Sequence, residues 1–304
     1  LLAGMLIGPA ARADESGSPQ TGDARQTQLE GGLTLTYQHP RDSRIDDEFQ
    51  GSADLVATYP WREGEWLVHA EASTSPREDA VSSVLPEANA DVATAVDGDG
   101  HGRVQVSELS YTLPVWAGSV AAGILDATAF LDASDVANDE TSQFLGATLV
   151  NNPTIEFPDY APGLAYQYEP DGSVFGLTLL VTSSAGLADN RRATYGELFD
   201  VDNDDKGVFA AVEGRWAKAA TTVRLGGWTH TGDHDRLDGK GGSDRNLGGY
   251  LSIDQGLGKG TVNLRVGAAD PAVSRPARFV SLAYARPVGR LTVGAGASRT
   301  YLSN

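Results

Sequence analysis

From residue 28 onward the apolar positions recur at every second residue, in runs of about ten separated by Gly, Pro, Asp and Asn. Leu33, Leu35 and Tyr37 fall on one face of the first run. Trp66, Val68, Ala70 and Ala72 share a face, with Glu65, His69 and Glu71 opposite. Val208, Ala210, Val212 and Trp216 alternate with Glu213 and Arg215, Val223 and Leu225 with Thr222 and Arg224, and Val262, Leu264 and Val266 with Asn263 and Arg265. A period of two is the strand signature, and charge on the second face makes that face wet. Strands are therefore predicted over 28–38, 51–60, 64–73, 103–113, 117–125, 162–170 and 173–183. They continue over 206–217, 219–230, 247–255, 260–268, 277–286 and 289–299. Some turns are tight, at Glu63-Gly64, Pro170-Asp171-Gly172 and Gly258-Lys259-Gly260, whereas 74–102, 126–161 and 184–205 are long connections.

A soluble sandwich and a membrane barrel both alternate in this way. The apolar face here uses Ala, Val, Leu and Gly, which suffices against lipid but is thin for a packed core. Aromatics gather near strand ends, at Tyr59, Trp61, Trp66, Tyr111, Trp116, Tyr166, Tyr168, Trp216 and Trp228, as interfacial girdles require. In lipid only closure satisfies every backbone N–H and C=O, so the fold expected is all-β, a transmembrane antiparallel β-barrel. No window offers ~18 consecutive apolar residues for a helical span. The thirteen predicted strands are an odd number for a bacterial single-chain barrel, and the sequence stops at Tyr301-Leu302-Ser303-Asn304, which leads us to expect further C-terminal strands.

Leu1 to Ala13 reads LLAGMLIGPAARA, an apolar run closing on an A-x-A pattern, as the remnant of a signal peptide would. Residues 14–304 would then form the exported barrel, in the outer membrane and bathed by its lipid. The formal charge of −18, with no run of Lys or Arg, argues against a nucleic-acid partner. Acid concentrates at 77–99, 126–140 and 197–205, stretches that read as solvated loops. Cys is absent, which excludes disulfides and thiolate metal sites.

The 126–161 connection holds the most distinctive segment, VANDETSQFLGATLVNNPTIEFP over 136–158. Asp135 or Asn138 can cap a short helix, with Asp139 and Glu140 near its positive end. Phe144, Leu145 and Leu149 would dock one face, and Asn151-Asn152-Pro153 would end it. Apolar Phe144, Leu149, Ile155 and Phe157 need somewhere to bury, which favours an insert folded over the mouth or into the lumen. The ANDET-QFL and VNNPTI-FP stretches resemble the signature of carbohydrate-selective porins of the OprB type. QVSELSY at 105–111, Gly163-Leu164-Ala165, GGYLSIDQGLG, VNLRVGAADPAV and VGAGASRTYLS follow the order of that family, so the likeness covers most of the chain after Arg103. It implies a barrel of about sixteen strands. It also implies passive diffusion of sugars and similar small polar solutes through a lumen narrowed by a helical constriction loop, with no reaction and no cofactor. The residues placed on that loop are Asn138, Asp139, Glu140, Gln143, Phe144, Asn151 and Asn152. A single barrel and a homotrimer both remain open.

A hydroxylated solute gives up water in a constriction, so the wall must supply donors and acceptors. Strand parity turns Arg215, Arg224, Arg265, Glu213 and Asn263 inward, with Asp54, Glu71 and Asp254 as further inward positions. Asp97 to Glu108 reads DGDGHGRVQVSE, close to a calcium loop with Asp97, Asp99, His101 and Glu108 as side-chain ligands; the alternative is a plain turn entering a strand. His230 and His234, with Asp233 and Asp235, could hold a metal but read more simply as a solvated turn. There is no HExxH spacing and no G-x-S-x-G elbow, and no Ser-His-acid set of an outer-membrane lipase can be assembled, so no enzyme is expected. A general porin, or a barrel that scaffolds a partner and conducts nothing, are the competing readings.

Overall fold

The computed structural model describes residues 26–92, 95–96, 100–187, 195–199, 201 and 206–303. The signal-peptide stretch 1–13 lies outside the described residues. Among the described residues thirteen strands form one antiparallel sheet in strict sequence order. They are β1 (Gln28–Gln38), β2 (Glu48–Trp61), β3 (Gly64–Ser73), β4 (Val104–Val115) and β5 (Gly118–Leu125). Next come β6 (Ala161–Tyr168), β7 (Phe175–Ser183), β8 (Val208–Lys218) and β9 (Thr221–Asp235). The series closes with β10 (Ser243–Leu257), β11 (Gly260–Ala269), β12 (Pro276–Val288) and β13 (Leu291–Leu302). Single helical turns, α1 (Val81–Val84) and α2 (Ala147–Val150), sit in two of the long connections. Among the described residues no helix is long and apolar enough to cross a membrane.

In an up-and-down sheet every second connection lies at the same end. The tight hairpins at 62–63, 116–117, 219–220, 258–259 and 289–290 therefore share one end, and the long connections between β3 and β4, β5 and β6, and β7 and β8 share the other. Several tight turns open with a left-handed residue, Gly258 (φ 64°) and Gly289 (φ 65°) at no steric cost, Arg62 and Trp116 (φ 52° each) against one. Among the described residues the sheet does not close on itself, and β1 and β13 are its two edges.

The alternation runs opposite to that of a soluble protein. On β11, Leu264 is 37% exposed while Asn263 and Arg265 on either side are fully buried. Leu177, Leu179 and Val181 on β7, Val212 on β8, Leu225 on β9 and Leu282 on β12 are exposed in the same way, while Glu213, Arg224, Ser252, Asp254 and Ser281 are buried. A polar inner face under an apolar outer one is the arrangement that lipid selects. At the tight-turn end Tyr111 packs against Trp61 and Trp66 (ring centroids 5.7 and 5.1 Å) and donates its hydroxyl to the Trp61 carbonyl, and Trp116 is 93% exposed. This is half of the expected aromatic girdle. Trp228 does not belong to it: it is 4% exposed, faces inward with Arg224 and His230, and stacks on Phe209.

Strand bounds differ most from expectation at the β9–β10 hairpin. β9 runs on to Asp235 and β10 starts at Ser243, through Gly, Asp and His that read as loop because they carry no apolar alternation. Cross-strand pairing holds them instead, with a register shift between Asp244 and Asn246.

Candidate functional site: the inserted loop and the inner wall

The connection between β5 and β6 enters the space enclosed by the sheet. Ala127, Leu131 and Ile155 of this stretch pack with Leu125, Ala165, Leu180, Phe209, Trp228 and Tyr250 of the wall, and Phe157 closes on the same cluster. Val136, Ala137 and Phe144 pack on Ala283 and Ala285 of β12. At Gly267 a side chain would collide with Thr154 and Asn152, so only glycine lets the loop lie this close to β11.

Arg265 is the central anchor. Its Nη1 donates to the carbonyls of Leu149 (3.1 Å) and Val150 (2.9 Å), its Nη2 to the Asp132 carbonyl (2.6 Å) and to Asn138 Oδ1 (3.1 Å). Because Leu149 and Val150 are the last residues of α2, the guanidinium caps the helical turn that lacks successors to receive its carbonyls. Arg265 Nε lies 3.3 Å from Asp132 Oδ2, an ion pair without hydrogen-bond geometry. Asp132 itself sits at φ 54°, a left-handed backbone that costs ~1–3 kcal/mol and persists where its surroundings fix it. Glu213 supplies part of that fixing, its Oε2 accepting the Asp132 N–H (2.7 Å) and the Tyr250 hydroxyl (2.8 Å). Asp254 accepts from Arg224 Nη1 (2.6 Å), Asn263 Nδ2 (2.9 Å) and Ser134 Oγ of the loop (3.0 Å).

Four of the five residues assigned to the wall, Arg224, Arg265, Glu213 and Asn263, thus converge on the Asp132–Ser134 segment of the loop. Arg215 stands apart near the tight-turn end, donating from Nε to Glu169 Oε1 (3.1 Å). Farther round, Glu71 accepts from the Tyr160 hydroxyl (2.9 Å), Ser107 Oγ and Gln105 Nε2, and His69 lies between Asp54 and Glu108 at 3.2 Å from each.

The loop is less helical than its sequence suggests. The capping role expected of Asp135 or Asn138 falls to Asp139, whose Oδ1 accepts the N–H groups of Thr141 (2.8 Å) and Ser142 (2.7 Å), and no helix follows. The Phe144 N–H returns to the Asp139 carbonyl, Gln143 Oε1 takes the Asn138 N–H (2.6 Å), and helix appears only at Ala147–Val150. Thr141 and Ser142 favour such local turns over helix, and Gly146 interrupts before the apolar residues. Asn151 ends the turn by donating its N–H to the Ala147 carbonyl, as the Asn151-Asn152-Pro153 stop predicted. Asn152 Oδ1 accepts from Thr154 N and Oγ1, and Phe144 and Leu149 lie against Gly294 and Gly296 of β13.

Burial raises the carboxyl pKa of several loop groups: Asp91 to about 6, Asp126 to about 6 and Glu140 to about 7. Neighbouring carboxylates add to each. Of the residues assigned to calcium, Asp97 and Asp99 lie outside the described residues, His101 is exposed, and Glu108 accepts the Asp126 N–H (3.2 Å) besides facing His69. Asp132, Ser134, Tyr250 and Glu156 were not singled out from the sequence. Tyr250 had a usable signal, since it shares strand parity with Asp254, whereas Asp132, Ser134 and Glu156 had only their place in the loop.

An up-and-down sheet with an apolar exterior, a polar interior and a long loop folded inside defines the porin class of barrel. The solved structures agree. Pseudomonas putida OprB matches over 91% of this chain and 75% of its own, at 13% identity and a TM-score of 0.64. A mutant porin of Rh. blastica matches over 90% of this chain and 84% of its own, at 13% identity and a TM-score of 0.50. The chain therefore has the fold of the porin barrels. No family model matches. An uncharacterized protein of Aquifex aeolicus is 44% identical over 80 residues, which span 26% of this chain and 26% of that protein.

Proposed function

We propose that the protein is an outer-membrane channel through which sugars and similar small polar solutes diffuse passively. The observation that carries the reading is the loop held inside the sheet by Arg265, Glu213 and Asp254, which narrows a polar interior behind an apolar exterior. Sugar preference rests on the resemblance of the ANDET-QFL and VNNPTI-FP stretches to carbohydrate-selective porins, and these stretches lie in that loop. Flux needs no cofactor and no reaction. The outer edges of β1 and β13 are not paired with each other, and lipid requires every such edge to be satisfied. We therefore propose closure by strands beyond these thirteen, and trimer formation as the assembly to test by cross-linking.

The test is swelling of liposomes containing the refolded protein, in isotonic neutral sugars and in amino acids of similar size. Faster swelling in sugars supports the reading. Equal rates indicate a general porin, and no swelling with any solute removes the channel in favour of a scaffold.

A further inference from the structure

We propose that Glu156, His230 and His234 form a binding site for a divalent transition-metal ion of the zinc class, which staples the inserted loop to the barrel wall. The three residues come from two elements: Glu156 from the loop, His230 and His234 from β9. One ligand atom from each lies within 4.8 Å of the others. The two imidazoles meet edge to face with centroids 4.6 Å apart, and His234 Nε2 is 2.8 Å from Glu156 Oε1.

The surroundings orient these groups as ligands. A carbonyl only accepts, so the 2.9 Å contact between His234 Nδ1 and the Gly232 carbonyl places a proton on Nδ1. That leaves Nε2, facing Glu156, as the nitrogen that takes either a proton or a metal, an arrangement common among metal-bound histidines. Asn246 Nδ2 donates to Glu156 Oε2 (2.8 Å) and fixes the carboxylate from behind. Asn246 is 3% exposed, pairs in register with His230, and its Oδ1 has no hydrogen-bond partner among the described residues, an orphaned acceptor beside the cluster. His230 is 5% exposed, and its Nδ1 accepts the Gly232 N–H over 3.2 Å, a long bond that a metal–nitrogen bond would replace.

Two imidazoles with one carboxylate suit zinc and its late first-row neighbours and suit calcium and magnesium poorly, since those take oxygen. Tetrahedral bonds of about 2.0–2.1 Å put ligand atoms roughly 3.3 Å apart, so binding draws the most widely separated tips together by at most ~1.5 Å and eases the 2.8 Å His234–Glu156 contact apart by ~0.5 Å. On binding, the ion takes the place of any Nε2 proton on His234, which goes to solvent. The fourth position is left to water.

The inference does not depend on what the channel carries. The full chain, refolded in detergent micelles, is titrated with Zn2+ against a chromophoric chelator and its unfolding temperature followed. The expected result is one micromolar or tighter site and a rise in unfolding temperature, with at least tenfold weaker binding in His234→Ala and in Glu156→Gln. His101→Ala, outside the cluster, should bind as the parent does. Glu156→Gln keeps the shape of the side chain, and circular dichroism of both variants confirms that the barrel is retained. No Zn2+ binding by the parent, or undiminished binding by both variants, overturns the proposal.

Discussion

Arg265 shows how a single side chain can decide the shape of an interior. It is fully buried, yet four donor bonds reach loop acceptors up to 133 positions away in sequence. Removing it orphans those carbonyls and takes the counter-ion from Asp132, whose carboxyl is already pushed up to about 7 by burial, a loss of about 3–5 kcal/mol. Arg265→Ala should therefore lower the stability measured by urea unfolding in micelles by that amount and speed amide exchange across 130–150. An unchanged exchange rate there would mean that the loop is held by its apolar contacts alone. The inward placement of Arg265 could be read by counting in twos along β11, and so could that of Trp228, which keeps the parity of Arg224. Proximity to a turn suggested a girdle for Trp228, but parity was the stronger physical constraint. The partners of Arg265 were not legible, because no local pattern tells where a distant loop will lay its carbonyls.

The strands and the inserted loop differ in how far composition determines them. β11 or β7 alternates so regularly that its bounds follow closely, whereas the ends of β9 and β10 are extended only because each pairs with the other. The loop was legible as an insert, with Ile155 buried and Phe144 and Leu149 half-buried, but not in its secondary structure. Its backbone is satisfied by Arg265 and Glu213 of the wall, so it needs little helix of its own. Its acids carry a pH dependence. Folding lifts Asp126 from 3.8 to about 6 and Glu140 from 4.5 to about 7, so the folded loop holds these protons more tightly than the unfolded chain does. A raised carboxyl pKa stabilises fully below the unfolded value and loses that contribution as pH climbs through the folded one. Exchange protection of 126–160, corrected for the intrinsic rate, should thus fall as pH rises from about 4 to about 7. Constant or rising protection over that interval would contradict the burial of these groups.

The barrel as a whole reads as an inverted protein, and this was the feature plainest in the sequence, since every segment repeats it. Its charge is less symmetric than its pattern. The formal balance is −18, and the inner cations Arg224 and Arg265 are already committed to Asp254, Asp132 and loop carbonyls. Asp54, Glu71 and Glu108 share the interior with one histidine, His69, bonded to Asp54 and Glu108. A constriction framed by acids lowers the barrier for cations. The reversal potential across a planar bilayer in a KCl gradient should accordingly show K+ preferred over Cl−, and the preference should shrink at high salt as screening takes hold.

Single-channel conductance of the protein in a planar bilayer, compared with that of a variant in which residues 136–150 are replaced by a short Gly-Ser linker, tests most directly whether a loop-narrowed pore exists. Discrete current steps are expected from the parent and larger steps from the variant. Absence of steps from the parent, or equal steps from both proteins, would contradict it.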